Sequence, residues 1–205
     1  MKKILLLFSL FALVIIISSF SKDGKTRDIS LLQPNYTSTV PTKLESIYNP
    51  VNIPFVGNSF TGFKEAVAFK ESQGKYNTVN SLGYLGKYQF GRTTLERFNI
   101  YNTHHFLQNP ALQEDAFIAL CSVNKWILRK DIRRSTGKTI NHIKITESGI
   151  LAAAHLAGAG NVKKYLRSNG TISFKDAYGS SIQHYLKQFS GYDTSIIEAS
   201  KKPVL

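Results

Sequence analysis

The segment from Ala111 to about Lys130 constrains the fold more than any other part of this chain, because its apolar residues recur at helical spacing. Asn109 and Pro110 precede it, and asparagine as N-cap followed by proline in the first turn is a typical helix start. The repeating apolar positions are Leu112, Ala116, Phe117, Leu120, Val123, Ile127 and Leu128. A pattern of this length predicts the central and most buried helix of a domain.

Other segments also favour helices. A run capped by Thr146 continues to Ala157, where Gly158 and Gly160 interrupt it, and its alanines 152–154 would let another helix approach closely. Shorter helical patterns cover residues 63–74, 93–98, 161–166 and 180–191. The fold class is therefore expected to be mainly α.

The N-terminus predicts export. Two lysines precede an apolar run, Ile4 to Ile17, and Ser19 and Ser21 offer small residues before a cut at Lys22. This order of features is that of a secretory signal. The alternative is an uncleaved inner-membrane anchor, since residues 4–20 are just long enough to cross a bilayer. We expect the protein in the periplasm or at the cell surface of a bacterium.

The length allows one main domain with appendages. Residues 1–21 are predicted to be the signal peptide. Residues 22–58 carry four prolines without any helical or strand period, which predicts a flexible tether. The helical domain is expected over residues 59–194, followed by a polar, frayed tail over residues 195–205.

The charge of the chain points to an anionic partner. The net charge is +13, and removal of residues 1–21 takes away two lysines and no acid, which leaves +11. Nucleic acid and the cell wall both fit this charge. The hypothesis of a nucleic-acid binder rests on charge alone, and the predicted export argues against it. We therefore expect no nucleic acid as partner.

Cysteine and histidine offer little chemistry. Cys121 is the only cysteine, so the chain has no internal disulfide, and its apolar surroundings predict a buried, unreactive thiol. The five histidines lack the i, i+4 spacing of a helical metal site. We expect neither a metal nor an organic cofactor.

Glu71 is the candidate catalytic residue. Phe63, Val67 and Glu71 follow an i, i+4, i+8 spacing and fall along one stripe of a helix that faces the core. A carboxyl group at the edge of an apolar surface is partly desolvated, and desolvation favours its neutral form. A protonated carboxylic acid is what a general acid needs in glycoside cleavage.

The next segment, residues 76–91, suits sugar binding. It is rich in tyrosine, asparagine and glycine and contains no acid. Its glycines favour an irregular β-hairpin, and its aromatic faces and amides can stack on and hydrogen-bond to sugar rings. A plain polar hairpin with half-buried tyrosines is the alternative interpretation.

Three blocks carry a family resemblance. Residues 71–74 (ESQG), 83–90 (GYLGKYQF) and 153–162 (AAHLAGAGNV) stand in this order. They resemble the glutamate-serine, glycine-x-x-glutamine and alanine-tyrosine-asparagine-alanine-glycine motifs of lytic transglycosylases with a lysozyme-like domain. The resemblance extends from Gly62 to about Asp193.

The resemblance implies a lysozyme-like helical fold with a small irregular β-hairpin beside a cleft that binds peptidoglycan glycan strands. It implies Glu71 as the catalytic acid, with Ser72 and Gln89 lining the site. Tyr84, Tyr88 and His155 lie in the matching blocks and are the further candidates for substrate binding. The motif's tyrosine-asparagine pair is His155-Leu156 here, so one polar contact of the family would be missing.

The chemistry implied is cleavage of the MurNAc-GlcNAc β-1,4 bond with a 1,6-anhydro product, since residues 72–95 hold no second acid. Lysozyme-type hydrolysis stays open if a remote acid, Glu147 or Asp176, folds over the cleft. A non-catalytic peptidoglycan-binding module is a further alternative. We expect a monomer, with transient membrane association through the N-terminal segment.

Overall fold

Residues 56–205 are the part of the chain that the computed structural model describes, and the predicted signal peptide and most of the predicted tether lie outside it. The architecture is mainly α, which confirms the predicted class. Its helices are α1 (Phe60–Ser72), α2 (Arg92–Glu96), α3 (Thr103–Gln108), α4 (Pro110–Ser135), α5 (Glu147–Arg167) and α6 (Ile182–Gln188). Two short antiparallel strands, β1 (Thr139–Ile140) and β2 (Ile143–Lys144), join α4 to α5.

The long helix α4 begins as its sequence predicts. The Asn109 side chain accepts a 3.0 Å hydrogen bond from the backbone amide of Leu112, and Pro110 is the first helical residue. The helix runs five residues beyond the predicted end, to Ser135. Phe117 and Leu128 are completely buried, and Cys121 is buried as expected.

Helix α5 lies against both α4 and α6. The Thr146 side chain caps it by accepting from the amide of Gly149 at 3.2 Å. Alanines 152–154 are buried, as a close helix contact requires. Gly149 allows the approach of α6, because a Cβ there would stand 2.7 Å from the Leu186 carbonyl oxygen.

Helix α5 is bent rather than straight. Gly158 has φ 76° and ψ 150°, a conformation outside the helical region that favours glycine, and helical geometry resumes after it. The predicted break at this glycine is therefore present, and it separates the residues around His155 from the last turns of the helix.

Residues 76–91, called the turn segment below, form the irregular hairpin expected from their glycines. Single bridges pair Val79 with Leu85 and Leu85 with Phe90, without a continuous strand. The regular strand pair β1–β2 was not predicted. It turns through Asn141 and His142, which both have positive φ and so form the tight turn between the strands.

The C-terminal residues differ from the expected frayed tail. Ile197 is 3% exposed, and the amide of Ser200 donates to the carbonyl of Ser122 on α4 at 3.2 Å. At the other boundary, the Asn58 carbonyl accepts from the amide of Asp193 at 2.6 Å. The prediction of a frayed tail over residues 195–205 is wrong, because one apolar side chain and a backbone hydrogen bond fix part of it to the core.

Candidate active site

Glu71 lies in the last turn of α1, where the helix leaves the core. Ser59 caps the helix at its start, and Gln73, with φ 57°, ends it in the left-handed conformation. Phe63 and Val67, on the same stripe, are completely buried, whereas Glu71 is partly exposed. The stripe thus places a carboxyl group at the boundary between the core and the surface, as the spacing predicted.

A tyrosine from the last helix holds this carboxyl group. The hydroxyl of Tyr185, on α6, donates a 2.6 Å hydrogen bond to Glu71 Oε1. Tyr185 is 2% exposed. Burial and the negative charge of Glu71 raise the pKa of Tyr185 well above its usual range, so the hydroxyl stays protonated and remains the donor. Within residues 56–205, Glu71 Oε2 accepts no hydrogen bond.

Glu71 opens into a cavity of about 120 Å³, called the Glu71 cavity below. Its walls are the end of α1, the turn segment, the middle of α5 and the loop at residues 176–178. Of the predicted site residues, Glu71, Tyr84, Gln89 and His155 line it together, and Leu156 stands beside His155. The three blocks of the sequence therefore meet at one place.

A larger groove of about 740 Å³ adjoins this cavity. The two share the lining residues Leu82, Tyr84, Gln89, His155 and Leu156, so they lie side by side, and together they are called the cleft below. The larger groove continues between α2, α4 and the bend of α5. Ligand sites in proteins commonly occupy about 300–1,000 Å³, and the large groove falls within that range.

Tyr84 and Gln89 face this cleft from the turn segment. Tyr84 is 42% exposed and presents its ring to both cavities. Gln89 has φ 50°, and its Nε2 donates to the Gly86 carbonyl at 2.9 Å. An exposed aromatic ring beside a fixed amide suits stacking on, and hydrogen bonding to, a sugar.

Ser72 takes a different place from the one expected. Its hydroxyl donates to the Lys87 carbonyl at 2.8 Å and accepts from the amide of Lys75 at 3.0 Å. It does not line the Glu71 cavity or the large groove. The expectation of a site-lining serine is corrected: Ser72 joins the end of α1 to the turn segment and so positions its neighbour Glu71.

Tyr88 is not part of the cleft wall. Its side chain is 0% exposed and stacks on Phe117, with ring centroids 4.0 Å apart. Its hydroxyl donates to Glu114 Oε2 at 2.8 Å. The expectation that Tyr88 contacts substrate is wrong for this side chain, because the glycine-rich turn directs it into the core rather than outward.

His155 joins α5 to the turn segment. Its Nε2 lies 2.8 Å from the Tyr88 carbonyl oxygen, which makes Nε2–H the donor. The ring packs edge-on against Phe90 and Phe117, and the buried Nδ1 has no hydrogen-bond partner within residues 56–205. His155 therefore both fixes the turn segment and lines the cleft, while Leu156 gives the same wall an apolar surface.

A buried polar cluster behind the site was not predicted. Lys87 is 4% exposed, and its Nζ contacts Glu65 Oε1 at 2.7 Å, Glu114 Oε1 at 2.8 Å and the Tyr76 hydroxyl at 3.2 Å. Lys64 contacts Glu114 Oε2 at 2.6 Å. Burial disfavours the charge on Lys87, but hydrogen bonds to the two carboxylates outweigh it and raise its pKa. This cluster ties α1, the turn segment and α4 together.

Gln113 anchors the same segment from α4. It is completely buried, its Oε1 accepts from the amide of Lys87 at 2.8 Å, and its Nε2 donates to the carbonyls of Phe106 and Tyr76. Gly86, with φ 73°, lies so close that a Cβ would overlap the Gln113 amide. Gly86 of the second block is thus required by its positive φ and by its packing against Gln113.

Asp176 is the second carboxylate of the Glu71 cavity. Its Oδ1 accepts from the amides of Tyr178 at 3.0 Å and Ser180 at 2.7 Å, which fix its orientation in the loop. Glu147, the other remote acid considered, pairs with Lys125 at 2.7 Å and with the Thr194 hydroxyl at 2.8 Å and lines neither cavity. Of the two, only Asp176 reaches the site.

One hydrogen bond connects two walls of the Glu71 cavity. The hydroxyls of Ser81, in the turn segment, and Tyr178 lie 2.9 Å apart, and both residues are exposed. We call this contact the Ser81–Tyr178 bridge. It holds the turn segment against the loop that carries Asp176.

Comparison of the chain with protein-family models, with curated proteins and with solved structures found no match. In residues 56–205, no group of three or more histidine, cysteine or acidic side chains is arranged to hold a metal ion. None of the helices described is both long and apolar enough to span a bilayer.

Proposed function

We propose that this protein is an exported peptidoglycan-cleaving enzyme of the lytic transglycosylase type, with a lysozyme-like domain. It would cut the MurNAc-GlcNAc β-1,4 bond with Glu71 as the single acid and base. The proposal rests chiefly on one observation, the Glu71 carboxyl group that Tyr185 holds in a cavity beside a groove of about 740 Å³.

The arrangement suits proton transfer. Tyr185 occupies Oε1, so Oε2 is the oxygen left to exchange a proton with a bound sugar. General acid–base catalysis requires the carboxyl group within hydrogen-bond reach of the reacting oxygen, and a fixed rotamer supports that geometry. Tyr185 would thus act as a positioning residue for Glu71.

The reaction would proceed in two steps. Glu71 first gives its proton to the bridging oxygen as the bond from that oxygen to C1 of the muramic acid breaks, and the sugar's acetamide stabilises the positive charge at C1. Glu71 then takes the proton of the C6 hydroxyl as O6 bonds to C1, which closes the 1,6-anhydro ring and restores the acid. No water is consumed.

Several wall residues support a sugar ligand. Tyr84 offers an aromatic face and Gln89 an amide, while Leu156 places an apolar surface where the motif has a polar asparagine. Substrate contact through that position would therefore be apolar, and the polar contacts would come from the turn segment.

Lysozyme-type hydrolysis is the second candidate, and Asp176 is the observation that favours it. A second carboxylate in the cavity is what two-carboxylate glycosidases use to activate water or to bind C1. Asp176→Asn separates the two reactions. In a transglycosylase the variant should still release anhydro products, whereas in a hydrolase it should lose the release of reducing ends.

The decisive experiment is digestion of purified peptidoglycan followed by mass spectrometry of the soluble fragments. Products one water lighter than hydrolysis products support the transglycosylase, and reducing muramic ends support the hydrolase. Glu71→Gln should lower turnover by about 10²–10⁴-fold or more. Glu198→Gln, at an exposed position outside both cavities, is the matched control and should cleave normally. If the wild-type protein releases no fragment, a non-catalytic binding module replaces the enzyme.

A further inference from the structure

Charge is unevenly distributed along the cleft. Among residues 56–205, the Glu71 cavity is lined by two carboxylates, Glu71 and Asp176, and by no lysine or arginine. Among the same residues, the adjoining large groove is lined by two arginines, Arg92 and Arg97, and by no aspartate or glutamate. A ligand that fills both would meet acids in the cavity and cations in the groove.

Both arginines present exposed side chains at the groove. Arg92 is the first residue of α2, Arg97 directly follows its last residue, and both side chains are exposed. Neither forms an ion pair with a carboxylate within residues 56–205. A guanidinium group binds a carboxylate through two parallel N–H donors, so unpaired arginines at a groove suit a carboxylate ligand.

The groove is also lined by a side-chain amide. Asn124, on α4, is 4% exposed and makes no side-chain hydrogen bond within residues 56–205. A side-chain amide can both donate to and accept from a polar group that enters the groove. Asn124 and the two arginines line the large groove and do not line the Glu71 cavity.

The cationic surface extends beyond the groove. Arg97 also lines a further cavity of about 510 Å³, together with Lys201 and Lys202. A ligand with several anionic groups could therefore be held along Arg92, Arg97 and the two lysines in succession.

We propose that Arg92 and Arg97 bind carboxylates of the stem peptide that branches from muramic acid, so that peptide-bearing glycan strands are preferred over bare ones. The inference rests on the proposed function, because it takes its ligand from peptidoglycan. In peptide-bearing strands the lactyl carboxyl group of muramic acid is in amide linkage, so the carboxylates of these strands belong to their peptides. A cationic groove beside a sugar-cleaving site thus selects the peptide branch.

The first test compares cleavage of peptide-bearing strands with cleavage of strands from which an amidase has removed the peptides. The stripped strands keep a free lactyl carboxylate on each muramic acid, so a preference for peptide-bearing strands reports the peptide and not a carboxylate at the sugar. The wild-type protein should have the higher kcat/KM on peptide-bearing strands. The double variant Arg92→Gln/Arg97→Gln should lose about fivefold in kcat/KM on these strands, mainly through KM, and little on stripped strands. Equal rates of the wild-type protein on both substrates would overturn the proposal.

Lys130→Gln/Arg133→Gln is the matched control. It removes the same charge from exposed positions of α4 that line none of the three cavities. It should keep the preference for peptide-bearing strands. An equal loss in both double variants would assign the effect to net charge and contradict the arginine site.

A binding measurement tests this inference independently of the proposed reaction. A synthetic stem tetrapeptide should bind the wild-type protein, and it should bind the Arg92→Gln/Arg97→Gln variant about fivefold more weakly. Tetrapeptide binding without any glycan cleavage would support the site and reject the enzyme. Cleavage without tetrapeptide binding would support the enzyme and reject the stem-peptide site. Tighter arginine-dependent binding of a glycerol phosphate polymer would reassign the site to phosphate and overturn the stem-peptide ligand.

Discussion

Tyr185 and Glu71 are 114 positions apart in the chain, and a 2.6 Å hydrogen bond joins the hydroxyl of one to Oε1 of the other. The bond connects the last helix, α6, to the end of the first, α1. The position of the candidate acid therefore depends on the packing of α6, which itself lies against α5.

Tyr185→Phe should lower turnover by about tenfold or more while the protein stays folded, because Glu71 loses the contact that orients it. The free energy of unfolding should fall by roughly 1.5–3 kcal/mol, the range for a hydrogen bond to a charged group. Steady-state kinetics and urea unfolding measure the two effects. Tyr192→Phe is the control, since the Tyr192 hydroxyl makes no hydrogen bond within residues 56–205. Unchanged kcat in Tyr185→Phe would contradict a positioning role.

Ser72→Ala should reduce stability and kcat together and leave KM nearly unchanged, because Ser72 joins α1 to the turn segment and does not line the cleft. A loss of about 1 kcal/mol is expected from one hydrogen bond. Ser190→Ala, which removes a hydroxyl that is not hydrogen-bonded within the described chain, should have little effect. An increase in KM alone would instead support the original prediction that Ser72 contacts substrate.

Acid should weaken the cluster around Glu114. Burial opposes ionisation of this carboxyl group, but hydrogen bonds from Lys64, Lys87 and two tyrosines outweigh it and lower its pKa from about 4.5 to about 2. Because the folded-state pKa is depressed, its contribution to stability is complete above about pH 4.5 and is lost as the pH falls towards 2. Urea unfolding of the wild-type protein at several pH values in this window should show the decline.

Glu114→Gln tests the same cluster directly. The variant should lower the free energy of unfolding by roughly 3 kcal/mol at neutral pH, since Lys87 stays buried with one fewer carboxylate. Its stability should also vary less between pH 4.5 and 2 than that of the wild-type protein. Glu96→Gln, at an exposed position of α2, should keep the wild-type stability and pH dependence. An identical pH profile in Glu114→Gln would assign the acid sensitivity to other groups.

Tyr178→Phe should speed cleavage. The Glu71 cavity, at about 120 Å³, is smaller than the roughly 300 Å³ of a small ligand site, so its walls must separate to admit a sugar. The Ser81–Tyr178 bridge opposes that separation, and its loss should raise kcat/KM by about two- to fivefold. Hydrogen exchange over residues 171–181 should increase in parallel. Slower cleavage with unchanged exchange would show that the Tyr178 hydroxyl contacts the sugar instead.

Local signals predicted the helix starts well. Asn109 and Thr146 cap α4 and α5 as expected, because a cap depends on a few neighbouring residues. The short helix α3 was missed although Asn102 caps it, since its sequence has little apolar periodicity. The pair β1–β2 was missed because its strands have only two residues each.

Features of the site that depend on neighbouring residues were predicted, whereas contacts between residues far apart in the chain were not. The spacing of Phe63, Val67 and Glu71 predicted a carboxyl group at the edge of the core, and the structure has it there. Tyr185 lies in the predicted helical segment 180–191, and nothing in the sequence links it to Glu71. The prediction that Tyr88 contacts substrate was wrong because Tyr88 lies in a turn with several positive φ angles. In such a turn, successive side chains do not alternate regularly between the core and the surface, so position in the sequence does not indicate which ones face the core.

The Ser81–Tyr178 bridge also bears on how such an enzyme would meet a long polymer. A hydrogen bond between two walls restricts the entry of a polymer from the side and favours threading from a free end, so a protein with a closed bridge is expected to act from chain termini and release short products from the start. An open groove accepts a strand at any internal bond and releases long fragments first. Tyr178→Phe should therefore change the product lengths early in a digest, from short terminal units to long internal fragments.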